Sequence, residues 1–566
     1  MTELYIDEKP VAIPAGTSLT IKQQNPLISK NGTFSLDLAL SLKERNNSIL
    51  YKHIERLQSN ATFKSRKALL ISDNKIILNG SEAYISNTNE EVKIQLLSGN
   101  SELNYFIGTS GYISELNLGT EETLSSEYYN TILDKKYPEA SFAPACVKIN
   151  SEIINSYTVN KETNVYSFTN LAIQPFLISL LERTIKALGY SISYNQLLED
   201  DFLCRIYILN NIKGTEYNKL MPGWTAKDFL EECEKFFNLI FDVDNVTKSV
   251  RIILSRSAMG SAQFDIDNVL DDYSKEVSKG NKLSYLNVKY DLPTSSYYKY
   301  TDIDPEILNK AIITTFATFN LMADYVKNGK SIVNKTQGLL YYNTLNLFYV
   351  TDTDTYYIVE KYNDDLYYLR PINSFRKYTT NSDDEYLSLK FIPAQMSFKL
   401  FTSPYEDWNV YESSMPYQSD KIDSETESEI SSIKTLIDNG IPDANRSQRR
   451  ISLAIYTGSL VGNTRYTRSQ MDYVHEDIYG WPVESDMTRT LRLTGINGLA
   501  TKYYKTNNRY DFTLEYTIKF ISNVIPDVRA DFLFQNKLFV CKELEYTITN
   551  DGINPVITGT FLPVIV

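Results

Sequence analysis

Histidine is almost missing from this chain: His53 and His475 are the only two in 566 residues. Each stands among ordinary surface-type residues, so acid–base catalysis through imidazole is nearly excluded by supply. Cysteine is also scarce. Cys146, Cys204, Cys233 and Cys541 are widely scattered, with no Cys-x-x-Cys pair and no histidine at ligand spacing. That pattern argues against a zinc site and predicts buried free thiols, in keeping with assembly in a reducing compartment. There is no Gly-x-Ser-x-Gly elbow and no catalytic-cysteine signature. A Gly-rich loop followed by Lys and Ser/Thr is missing, as is a dinucleotide fingerprint, which disfavours nucleotide enzymes. The sequence therefore offers no catalytic residue, no metal ligand set and no cofactor.

Long apolar runs are absent too. Met1–Glu8 carries acidic residues and does not read as a signal peptide. The longest weakly polar stretch, Ala311–Ala323, is interrupted by Thr and Asn and is too short to span a bilayer, so no transmembrane segment is expected. Positive charge is in deficit, with 57 Lys and Arg against 70 Asp and Glu and a formal net charge of −13. This argues against a protein that wraps nucleic acid through a basic face. Arg446, Arg449 and Arg450 form the one compact basic cluster and read as a solvated loop or a partner contact.

Aromatic residues are plentiful, at 13% of the chain with 43 Tyr, beside 42% hydrophobic and 22% charged residues. The chain is globular and too long for one core, so roughly three to five domains are expected. Tyrosine favours pleated surfaces and can serve a core or an interface.

The hydrophobic pattern predicts a β-rich, multidomain α+β protein. Phe34, Leu36, Leu38, Leu40 and Leu42 alternate with smaller or polar residues, as on one face of a strand. Lys75–Ser81 and Val92–Gly99 are short extended runs closed by turn residues. Residues 1–145 thus read as an all-β, barrel-like domain. In 146–275 the period changes. Phe176, Leu177, Leu180, Leu181, Ile185 and Leu188 recur three and four apart between Pro175 and Gly189, which is an amphipathic helix. A second helix begins at Thr225, with Asp228 at capping-box distance, and buries Phe229, Leu230, Cys233, Phe236 and Phe237. Asn238 suits a left-handed stop, and Leu239–Val243 and Ser249–Leu254 follow as a hairpin.

Residues 276–402 read as a second β domain, with Leu286, Val288 and Tyr290 alternating, as do Leu387, Leu389 and Phe391. Tyr356–Tyr362 and Leu366–Arg370 flank Asn363–Asp365 like a hairpin. A helix starting at Pro305 toward Ala323 is weakened by its Ile and Thr content. Residues 403–450 read as an acidic linker or insertion, densest over 419–443. The final segment, 451–566, reads as a C-terminal β domain with strands at Ile451–Tyr456, Thr488–Leu493, Phe512–Ile518 and Leu538–Thr549, the last turning at Asn550–Gly552 into Val556–Leu562.

Other chemistry finds little purchase. Gly108–Gly111 and Met259–Ala262 read as loops. Asp271–Asp272 and Asp383–Glu385 lack the spacing of a calcium loop and read as solvated surface. Glycoside hydrolysis needs only two carboxylates at a set separation, and the sequence cannot select a pair.

Several segments, taken in order, resemble tail proteins of tailed phages and prophages from gut anaerobes, the crAss-like phages among them. They are Asn25–Leu27 leading to Phe34–Leu38, then His53–Leu57, Lys93–Ser101, Pro175–Tyr190, Gly223–Leu230 with its hairpin, and Phe539–Tyr546 through Phe561. The helix-then-hairpin unit is similar to that of baseplate hub proteins. The resemblance implies a non-enzymatic virion protein assembled in the host cytoplasm. Barrel-like domains would join copies into a trimeric or hexameric ring that contacts other tail, tip or fibre proteins. DNA would pass through the lumen without specific binding, past acidic side chains, and 419–443 would hold a neighbouring fibre or tip protein. A glycan-binding adhesin that uses tyrosine platforms, or a tail-borne polysaccharide hydrolase, stays open beside this reading.

Overall fold

In the computed structural model the described residues are 1–277, 287–292, 305–327, 346–361, 367–371, 376–379, 386–396, 416–418, 450–459, 467–470, 475–476, 482–483, 491–504 and 510–565, apart from 30, 60–65, 110, 150–151, 161–162, 164, 222, 245–246, 256–261, 271–272 and 512. The expected acidic stretch 419–443 lies outside them.

Eight strands open the chain: β1 (Thr2–Ile6), β2 (Lys9–Val11), β3 (Ser18–Gln24), β4 (Thr33–Ser35), β5 (Leu38–Ser41), β6 (Arg66–Ser72), β7 (Lys75–Asn87) and β8 (Glu91–Ser98). Tight turns with two successive left-handed residues join several of them. Asp7 and Glu8 turn β1 into β2, and Asp73 and Asn74 turn β6 into β7. Paired positive-φ residues match the right-handed twist of antiparallel strands. The run Phe34–Leu42 is not one strand. Leu36 donates its backbone N–H to Thr20 O, and the chain leaves the ladder at Leu36 and Asp37 before resuming as β5. Leu38, Leu40 and Leu42 are buried while Leu36 is exposed.

Helices then enter: α1 (Asn100–Thr109), α2 (Leu177–Ala187), β9 (Ser191–Asn195), α3 (Ala226–Phe237), and the hairpin β10 (Leu239–Asp244) with β11 (Ser249–Leu254). The expected amphipathic helix is α2. It starts one residue after the Phe176 cap, and Leu177, Leu180, Leu181 and Ile185 are fully buried. Each such side chain contributes about 1.5–3 kcal/mol of transfer free energy. Thr225 caps α3 as anticipated: its Oγ1 accepts the Asp228 N–H at 3.0 Å and donates to Asp228 Oδ2 at 2.6 Å. Asn238 ends α3 in the left-handed conformation, with φ +50°. β9 adds in parallel to β11, making a three-stranded sheet.

The last strands are β12 (Gln263–Asp265), β13 (Ser274–Val277), β14 (Leu514–Ile521), β15 (Asp531–Phe534), β16 (Lys537–Thr549) and β17 (Gly552–Pro563). The terminal hairpin across Asn550–Gly552 is present. Its partner was not legible: β16 pairs antiparallel with β3, Ser18 opposite Thr549 through Gln24 opposite Glu543. Strands from the two ends of the chain therefore share a 14-stranded sheet, along the order β2-β1-β6-β7-β8-β4-β3-β16-β17-β14-β13. The sheet wraps one apolar core that unites Leu4, Ile21, Leu70 and Ile94 with Phe520, Phe532 and Phe561. It does not close into the barrel expected from the sequence, because the path ends on β2 and β13.

A second, separate core lies around α2 and α3. Pairing again joins distant segments: Ile206–Ile208 pairs with Ile451–Ser459, which pairs in parallel with Phe391–Pro393. Phe391 sits among Trp224, Phe229 and Phe236, with ring centroids 5.6–5.9 Å apart. The helix proposed from Pro305 stops at Lys310 and becomes the strand Ile312–Phe316, because β-branched Ile and Thr favour the pleated form. Residues Leu491–Leu493 of the expected strand Thr488–Leu493 are irregular, and the rest of it lies outside the described residues. The β-rich, multi-sheet α+β class anticipated from sequence is the class observed.

Candidate functional site

The residues singled out by sequence do not converge. His53 forms a local knot: Ser48 Oγ lies 2.8 Å from His53 Nδ1 and donates to Glu55 Oε1 at 2.9 Å, and that oxygen is 3.1 Å from the same ring nitrogen. A Ser-His-acid relay needs serine and acid on opposite nitrogens, so this is not one. Burial acts to raise the Glu55 carboxyl, but hydrogen bonds from its own backbone, Ser48 and His53 together hold it below the usual range. His475 lies in the short strand His475–Glu476, paired with Pro482–Val483.

All four cysteines are buried, and none is in a disulfide. Burial pushes the Cys204 thiol up to about 11 and those of Cys233 and Cys541 well above their ordinary value, which makes them poor nucleophiles. Arg450 pairs with Asp291 at 3.2 Å. Arg446, Arg449, Asp271, Asp272, Asp383, Asp384 and Glu385 lie outside the described residues. Among the described residues no group of three His, Cys, Asp or Glu is arranged to hold a metal ion, and no helix is long and apolar enough to cross a membrane. Many tyrosines fill cores: Tyr51, Tyr129, Tyr207, Tyr217 and Tyr456 are among the largest fully buried side chains.

What the fold does build is an asymmetric pair of sheet edges. At one end β2 is three residues long and carries Pro10, which has no amide hydrogen to offer. Beyond it, fully buried Asn47 imitates a neighbouring strand. Ala12 N–H donates to Asn47 Oδ1 at 3.0 Å, and Asn47 Nδ2 donates to Ala12 O at 2.9 Å and Ser41 O at 3.0 Å. That edge is capped. At the other end β13 pairs only with β14 among the described residues, and all four of its residues are exposed. Leu270, Tyr273, Val277 and Ile521 add exposed apolar surface beside it. Lys275 stands opposite inward-facing Tyr516, and Glu276 stands opposite Glu515 on the other face.

Charge disfavours two of the registers in which this edge could pair with its own copy. Directly opposed side chains of an antiparallel ladder share a face, so a two-fold pairing of β13 centred on Lys275 or on Glu276 sets that residue against its own copy, whereas centring on Ser274 or Val277 does not. Like charges directly opposed are destabilising. The signals for the capped edge were only partly legible: Lys-Pro in a short strand marks an edge, but nothing local marks Asn47 as its cover.

A second feature lies where the two cores meet. A cleft of about 480 Å³ is lined by Gln24, Gly99, Asn100, Val243, Pro526 and Arg529, among others. Polar links bridge the cores beside it. Arg529 pairs with buried Asp242, and Lys248 pairs with buried Glu102 while donating to Asn79 O at 3.3 Å. Ser81 Oγ donates to Glu102 Oε1 at 2.6 Å.

Comparison with known proteins completes the description. No protein-family model and no curated protein matches the chain. Among solved structures it is similar to the 43 kDa tail protein of prophage MuSo2 from Shewanella oneidensis, at 7% identity over 99% of this chain and 97% of that one, with a TM-score of 0.34. It is also similar to the tail protein from Neisseria meningitidis MC58, at 7% identity over 99% of this chain and 95% of that one, with a TM-score of 0.27.

Proposed function

We propose that the chain is a non-enzymatic structural protein of a phage tail, forming a ring-like hub that joins the tail to its tip or fibres and leaves a passage for DNA. The observation that carries this reading is the sheet with one capped edge and, among the described residues, one open edge. A sheet whose two ends differ suits a heterologous contact, in which one surface meets a different surface on the neighbour. Repeated about an axis, such contacts close rings. The order of tail-like segments along the sequence supports the same assignment, as does the −13 charge, which suits a lumen that DNA slides past without sticking. The partners on this reading are further copies of the chain and neighbouring tail, tip or fibre proteins, within a virion assembled in the host cytoplasm.

Negative-stain imaging of the purified chain, with mass photometry for copy number, tests the proposal. Closed rings of three or six copies are expected, and a monomer at every concentration counts against a self-assembling hub.

A further inference from the structure

Most buried apolar side chains among the described residues fall into two separate cores. Where they meet, the links named above are polar, and two more join them: Gly32 N–H donates to Ser101 Oγ at 3.0 Å, and Asn104 Nδ2 donates to Asn31 Oδ1 at 2.9 Å. A seam held by polar links beside an open cleft favours relative motion of the bodies it joins, since among the described residues the two apolar cores are separate clusters.

We propose that this seam is a hinge held shut by two buried carboxylates of the second core, Glu102 and Asp242, which take donors from the first. Glu102 is 3% exposed and accepts from Ser81 on β7; Asp242 is 6% exposed and pairs with Arg529 in the turn before β15. A buried carboxylate deprived of its donors is costly, and parting the bodies lets water replace them. The pivot is at hand. The chain crosses from β8 to α1 through Gly99, whose φ of +61° is open to glycine without steric cost and which itself lines the cleft. Lys248, in the turn at the tip of the β10–β11 hairpin, reaches both Glu102 and the backbone of β7, so the hairpin works as the arm of the latch. The hinge does not depend on the tail assignment.

The test uses the full chain with spin labels at K93C on β8 and K227C on α3, both exposed positions. The parent chain gives one narrow distance. S81A/R529Q removes two donors that the first core supplies and keeps both carboxylates; E102Q/D242N neutralises the acceptors instead. Each variant is expected to gain a second, longer distance while each core keeps its hydrogen-exchange protection. A single narrow distance unchanged in both variants overturns the hinge. So does loss of the folded state in both, because that outcome makes the links part of one cooperative core.

Discussion

Asn47 grips Ala12 with both ends of its side-chain amide, accepting the Ala12 N–H at 3.0 Å and donating to its carbonyl at 2.9 Å. A single buried side chain thereby supplies the hydrogen bonds that another strand would have made. With Pro10 it closes one end of a sheet whose other end, β13, has no further strand beside it among the described residues.

Asn47→Ala should destabilise the chain by about 2–4 kcal/mol, since it removes three hydrogen bonds and leaves the Ala12 N–H and carbonyl without them. The midpoint of denaturant unfolding reads this. The same variant should self-associate more, because the exposed edge becomes a template, and sedimentation velocity would detect it.

Val277→Asp should leave thermal stability within about 0.5 kcal/mol, because the side chain is 70% exposed. Its effect should fall on assembly. Mass photometry at fixed concentration should show fewer closed rings, and an unchanged distribution would remove β13 from the contact.

The Glu232 carboxyl is raised, first by burial, against the opposing pull of backbone hydrogen bonds from Lys390 and Phe391 and the charge of Lys235. A carboxyl that holds its proton longer folded than unfolded stabilises the fold below the unfolded value near 4.5. That contribution is lost as pH rises through the higher folded value. Glu232→Gln should flatten this part of the stability-versus-pH profile while still accepting the Lys390 N–H, which now lies 2.6 Å from Oε1.

Thr225→Ala should cost about 1 kcal/mol, the usual price of losing a helix N-cap. The loss should appear as a lower unfolding midpoint. Hydrogen exchange should rise at Asp228 and its neighbours in the first turn of α3.

Gly32→Ala should be harsher than an ordinary surface change. A Cβ at this position would come 2.7 Å from the Asn100 backbone nitrogen and 3.0 Å from Ser98 O. Neither atom can swing aside, so β4 and the start of α1 must part. Circular dichroism melts of the variant should show the loss.

Local pattern was readable because it is written in consecutive residues. The α2 stripe, the Thr225 cap and the Asn238 stop, the β10–β11 hairpin and the β16–β17 hairpin all depend on neighbours within a few positions. The break at Leu36 was not readable, because it depends on Thr20 of another strand capturing its N–H. The Ile and Thr after Lys310 did carry a sign of strand, and the chain follows it. At the candidate site, Lys9-Pro10 carried a local sign of an edge, whereas Asn47 looks like any polar residue in Asn46-Asn47-Ser48.

The sequence by itself determined the β-rich class, the helices with their caps and the terminal hairpin, since periodicity and capping act over short range. Only the tertiary structure decided that Ser18–Gln24 lies beside Glu543–Thr549 across the whole length of the chain. It alone decided that one end of the sheet is covered while the other is open among the described residues, and that Glu102 and Asp242 bridge two cores. The physical reason is that a strand's apolar face records that it is buried but not against which partner. Pairing and register are settled by long-range packing, where the chain ends meet.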